Sequence, residues 1–154
     1  MIIFMFLVTM CIILIIAFIK LKGISLLGKI LLYFFVCTML HEGFIIIEKN
    51  LELIERDKVV FKWLTLVFYG MAGNPVLISF FTILIWKTQF RVSKKFLIFT
   101  GFVLFLTCME SLWKYLGYIH YIHWNLFYTF FRYSSVVMLS LIFLIWLEKK
   151  VIKL

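Results

Sequence analysis

The chain has 154 residues, 66% of them hydrophobic and 20% aromatic, with a mean hydropathy of +1.14. A soluble domain of that length fills its core with far less apolar material, so water is excluded as the main solvent. Sixteen Lys and Arg against seven Asp and Glu give a net charge of +9, yet these cations fall in short gaps between apolar runs. That is the pattern of membrane topology determinants, and no nucleic-acid partner is implied.

In chain order, residues 2–19 are apolar apart from Thr9. About 18 residues at about 1.5 Å each reach roughly 27 Å, close to a bilayer's hydrocarbon thickness, so this is the first predicted span. No basic residue precedes it and no small-x-small site follows it, so it reads as a span rather than a cleaved signal peptide. Lys20, Lys22 and Lys29 lie in the connection to a second span at 30–47, which is interrupted near its end by His41, Glu42 and Gly43. The exit, 48–62, is the most charged stretch. Glu52 and Arg56 at i,i+4, with Glu55 and Lys58 at i,i+3, extend the predicted helix into water.

The third span, 63–86, is bracketed by Trp63 and Trp86, indoles suited to the two interfaces. At its middle, Gly70-Met-Ala-Gly73-Asn74-Pro75 predicts a kink at Gly73 and Pro75 and a close contact with another helix. The same break can instead line a ligand site. A loop with Lys87, Arg91, Lys94 and Lys95 leads to the fourth span, 96–113, with Glu110 near its end. The fifth span, 125–147, carries Arg132 and is followed by a tail with Glu148, Lys149, Lys150 and Lys153. Cys11, Cys37 and Cys108 each sit within an apolar run, without CxxC spacing, and read as small apolar fillers. The fold class is therefore an all-α integral membrane bundle of five transmembrane helices, one domain over 1–154.

Cations in alternate gaps set the orientation. The first and third loops and the tail hold three, four and three, ten in all, while the second and fourth loops hold four and one, five in all, and the N-terminus none. The richer set faces the cytoplasm, which predicts the N-terminus outside and the C-terminus inside. With that topology His41 and Glu42 lie about 8 to 9 Å below the outer surface, Arg132 about 10 Å and Glu110 about 5 Å. Asn74 and Pro75 come near the midplane, and His120, His123 and Asn125 in the outer turn. An isolated charge in a span costs roughly 2.5 to 3.5 kcal/mol, so charges there pair inside the bundle. Depth matches Arg132 to Glu42, and places Glu110 near Lys114 or the same cluster.

From Glu110 to Asn125 the sequence reads ESLWKYLGYIHYIHWN. A span ending in Glu110, then Trp113, Lys114, Gly117, Tyr121, His123 and Trp124-Asn125 opening the last helix, with Pro75 in the third span, resembles a family of small five-span membrane proteins of spore-forming Gram-positive bacteria. The resemblance covers the second half of the chain. It departs at Lys29-Ile30, where the family has an aromatic-proline entry to the second span. It implies five spans and a bacterial cytoplasmic membrane, and no activity.

Three function classes fit these residues. The first is a non-enzymatic accessory or interaction subunit, in which the polar cluster of His41, Glu42, Asn74, Glu110, His120, His123, Asn125 and Arg132 organises the bundle. The second is a sensor or carrier that uses the cluster as a pocket for a small ligand or ion. The third is an intramembrane metal-dependent enzyme. His120, His123, Glu110, His41 and Glu42 sketch a zinc site, but their spacing lacks the H-E-x-x-H order, and interfacial His, Trp and Tyr serve as amphipathic anchors. No metal ligand and no cofactor are assigned. Five spans with one kink lack the paired repeats of many secondary carriers, so the partners implied are lipid and another membrane protein or a second copy of the chain.

Overall fold

The computed structural model describes residues 2–57, 59–89 and 91–150. They form six helical segments: α1 (Ile2–Lys20), α2 (Leu26–Ile45), α3 (Val60–Phe68), α4 (Asn74–Lys87), α5 (Val92–Tyr115) and α6 (Leu126–Lys150). A π-helical turn, Ile46–Asn50, continues α2, and a second, Tyr69–Gly73, joins α3 to α4. Counted with these turns, five continuous helices are long and apolar enough to cross a membrane: 2–20, 26–50, 60–87, 92–115 and 126–150. The chain is an all-α bundle. The second, third and fourth helices overrun their predicted spans at both ends, the first gains one residue, and the fifth starts one residue later and ends three later, because local capping as well as hydropathy sets helix ends.

The start of α2 shows the effect. Ser25 Oγ accepts the backbone N–H of Gly28 at 3.1 Å, an N-cap that starts the helix four residues before the expected span. Lys29 is thereby drawn into the first turn and buried, where its ammonium donates to the carbonyl of Ile19 at 2.6 Å. That carbonyl belongs to the last turn of α1, which has no intrahelical donor for it. Lys29 is thus a helix-end partner rather than a loop cation.

α6 is the hub, packing against α2, α4 and α5, while α1 lies outside against α4 and the second π turn. The core joins Leu32 and Val36 of α2, Ile78 and Ile83 of α4, Val103 and Leu106 of α5, and Val137 and Leu144 of α6, all fully buried. Phe35 stacks on Phe143 at 4.2 Å and Phe81 on Phe102 at 4.1 Å. Large apolar side chains such as Phe6, Phe34, Leu97, Phe127 and Met138 face outward, the arrangement expected where lipid rather than water surrounds the bundle.

Two short strands tie the loops of one end together. β1 (Ile54–Arg56) pairs antiparallel with β2 (Ile119–Tyr121), Glu55 facing His120. This replaces the predicted helical extension beyond α2: Glu52 turns the chain in the left-handed region at φ 49°, and Arg56 pairs with Glu48 at 2.7 Å rather than with Glu52. Lys58 lies outside the described residues. At the far side of the sheet Gly117, at φ 69°, ends α5, with its N–H on the Lys114 carbonyl and that of Tyr118 on the Trp113 carbonyl. This Schellman closure needs the left-handed residue that glycine supplies without a Cβ clash. Asp57 accepts from Lys62 at 2.6 Å and from the Val59 N–H, and these two bonds hold its carboxyl below the usual range. At the opposite end Glu148, still on α6, accepts from Trp86 of α4 at 2.6 Å and pairs with Lys87 at 2.8 Å.

Proline explains the break in the third span. Pro75 has no N–H for the carbonyl of Met71, four residues earlier. The Tyr33 hydroxyl of α2 supplies the missing donor at 2.7 Å, and the turn widens to the π form over 69–73. The expected close contact occurs at Gly73, where a Cβ would sit 3.1 Å from Cys11 Sγ of α1. It does not occur at Gly70, where a Cβ meets no atom within 4 Å. Tyr33→Phe is expected to cost roughly 0.5 to 1.5 kcal/mol in thermal unfolding in detergent. In a Pro75→Ala background the same change costs less, because the substitution restores a backbone N–H at that position; equal losses in both backgrounds would show that Tyr33 does not serve this carbonyl.

Candidate functional site: a polar cavity at the sheet end

Glu110 and Arg132 face one another across α5 and α6, and their side chains are only 5% and 13% exposed. Arg132 Nη2 donates to Glu110 Oε2. The other carboxylate oxygen, Oε1, accepts the hydroxyls of Thr129 and Tyr121, each at 2.9 Å. Thr129 is itself held by the Trp124 indole N–H at 2.8 Å. Burial, and then the adjacent Glu110 carboxylate, push the Tyr121 hydroxyl well above its ordinary pKa, so it remains a donor. Both carboxylate oxygens are therefore occupied, as a buried charge requires.

The expected partner of Arg132 was Glu42, and the structure overturns that pairing. Glu42 is exposed and does not line the cavity, whereas His41, one residue earlier and also exposed, lines its rim with Arg132. One helical step is about 100°, so neighbours in sequence face different directions and depth alone does not choose a partner. Lys114 lies over the Tyr121 ring at 4.6 Å, and so reaches the cluster through that tyrosine rather than through Glu110.

The arginine keeps donors to spare. Arg132 Nε and Nη1 are buried without hydrogen-bond partners, and so are Trp113 Nε1, the Tyr69 hydroxyl and Asn74 Oδ1. All four residues line one cavity of about 340 Å³, bounded by α2, the broken third span, α5, α6 and the two strands. Asn74 is also anchored, its Nδ2 donating to Tyr133 Oη at 3.2 Å. Arg56, paired with Glu48, enters from β1 and leaves its Nε unpartnered. The Phe44 ring centre lies 4.3 Å from the guanidinium of Arg56 and 5.7 Å from that of Arg132.

The remaining predicted site residues fall elsewhere. His120 and His123 are exposed on β2 and just beyond it, and Asn125 is exposed at the start of α6, where its Oδ1 accepts the Tyr128 N–H at 3.0 Å as an N-cap. Gly73 and Pro75 are buried behind the cavity, while Asn74 between them reaches it. Among the described residues no three His, Cys, Asp or Glu side chains converge as metal ligands. Sequence reasoning missed Tyr69, Trp113, Tyr133 and Arg56. Arg56 lies in the most charged stretch and the three aromatics lie in apolar runs, so none of the four carries a sequence signal of its own.

Neither protein-family models, nor curated proteins, nor solved structures match this chain.

Breaking one side of a buried pair strands the other charge. Glu110→Gln and Arg132→Gln are each expected to lower stability in detergent by about 3 to 5 kcal/mol, with the double change costing much less than their sum. Glu42→Gln stays within about 0.5 kcal/mol of the unmodified protein. Additive losses, or a Glu42 effect as large as that of Glu110, would contradict the pairing.

Proposed function

We propose that this multi-pass membrane protein is a non-enzymatic binder, a sensor or carrier component, that holds a small lipophilic ligand in the sheet-end cavity. The observation that carries the reading is the set of unpartnered polar atoms on Arg132, Trp113, Tyr69 and Asn74 around one cavity. Each such atom costs about 1 to 3 kcal/mol when buried without a partner. A pair that served only to fix helix register would be satisfied within the bundle, as Glu110 is. The volume of about 340 Å³ is at the small end of ligand sites. The accessory-subunit reading needs no such cavity, and so it ranks second. In protein purified in mild detergent, native mass spectrometry is expected to show a co-purifying small molecule, and adding back a membrane lipid extract is expected to raise the unfolding temperature. Asn74→Leu diminishes both effects. A ligand-free protein that lipid extract does not stabilise would remove this reading.

We further propose a bacterial cytoplasmic membrane as the location, with the sheet end and the N-terminus outside. The resemblance of Glu110 to Asn125 supports the first point, and the ten cations against five in alternate gaps support the second. A fluorescent protein that folds only in the cytoplasm, fused at the C-terminus, is expected to fluoresce. An alkaline phosphatase fusion that is active at the same site would reverse the orientation.

A further inference from the structure

The cavity has a side door. α2 packs on α4 and on the π turn but makes little contact with α3, and the cavity is lined along this seam by Leu40 and His41 on one side and Trp63, Gly70 and Met71 on the other. Trp63 and Met71 are about half exposed, and Gly70 leaves open space where a side chain would stand. The π turn that answers Pro75 therefore also opens the bundle laterally, toward the surface that lipid covers. A ligand with an apolar tail can enter there without crossing the strand pair.

The polar atoms inside decide the head group. The unpartnered set is donor-rich: Arg132 Nε and Nη1, Trp113 Nε1 and Arg56 Nε only donate, the Tyr69 hydroxyl can donate or accept, and Asn74 Oδ1 alone only accepts. This calls for a ligand that brings acceptor oxygens. Formal charge is already balanced, because Arg132 has Glu110 and Arg56 has Glu48. An anion would add an uncompensated buried charge close to the Glu110 carboxylate, whereas a carbonyl oxygen accepts from the same donors without that cost. The walls hold five aromatic rings, Phe44, Trp63, Tyr69, Trp113 and Tyr133, which favour a flat head group.

We propose that the cavity takes a neutral, planar, carbonyl-bearing lipophile of the quinone class, admitted sideways between α2 and α3 past Gly70. The inference rests on the ligand-binding reading above and names its ligand. Two probes test it on the full chain in detergent, a decyl-substituted benzoquinone and decyl phosphate, with tryptophan quenching and isothermal calorimetry as readouts. The quinone is expected to bind saturably and at least ten-fold more tightly than the phosphate. Trp113→Phe loses one donor and is expected to weaken quinone binding about five-fold, the equivalent of one net hydrogen bond. Gly70→Phe fills the door and lowers affinity or entry rate at least ten-fold, while Gly70→Ala, whose methyl meets no neighbouring atom, binds normally. Tighter binding of decyl phosphate would overturn the neutral head group and leave the ligand pocket standing. Unchanged quinone binding by a folded Gly70→Phe would overturn the lateral door. Binding of neither probe, together with a ligand-free purified protein, would sink the pocket as well.

Discussion

One carboxylate in an apolar bundle constrains everything at the sheet end. Glu110 is nearly out of contact with solvent, and an ionised group there is tolerated only if its lone pairs are occupied. Arg132 from α6, Thr129 one turn before it and Tyr121 from β2 fill them, so a single side chain fixes α5 against α6 and the second strand against both. The strand pair then holds the loop after α2 in place, and with it Arg56 and Glu48. Arginine is the residue for this role because its planar fork can engage a carboxylate with one nitrogen and still present others. Those others, Nε and Nη1, are buried without partners beside the cavity.

The backbone obeys the same rule of satisfaction. Pro75 removes a donor in the middle of a long apolar helix, and the carbonyl of Met71 takes the hydroxyl of Tyr33 instead. Lys29 does the same at the end of α1, and the Schellman turn at Gly117 does it at the end of α5. In the same turn a Cβ on Gly70 would meet no atom within 4 Å, and the Met71 side chain is about half exposed while its carbonyl is held by Tyr33.

The two ends of the bundle differ in character. At the sheet end, polar groups are buried, and several remain without partners. At the other end Glu148 is fully engaged by Trp86 and Lys87, and Lys29 by a carbonyl. The core between them is closed by apolar contacts among α2, α4, α5 and α6. Most of the buried polar atoms without partners among the described residues thus lie at the sheet end, Ser79 Oγ of α4 being apart from them.

Hydropathy alone determined the number of helices and their order, because a span needs about 20 apolar residues whatever its neighbours do. That the hydrogen-bond ladder of the third span is disturbed next to Pro75 was also legible, since proline's missing donor is a local property. The presence of polar groups toward one end could be read as well, with residue counting for depth. Partner choice could not. Glu42 and Glu110 are both carboxylates near the same end, and only the rotation of each helix about its axis, set by packing of the whole bundle, turned Glu110 inward and Glu42 outward. For the same reason the strand pair, the burial of Lys29 and the cavity's aromatic wall were decided by tertiary structure: each depends on which faces of separate helices meet, and sequence periodicity carries little of that when every face is apolar.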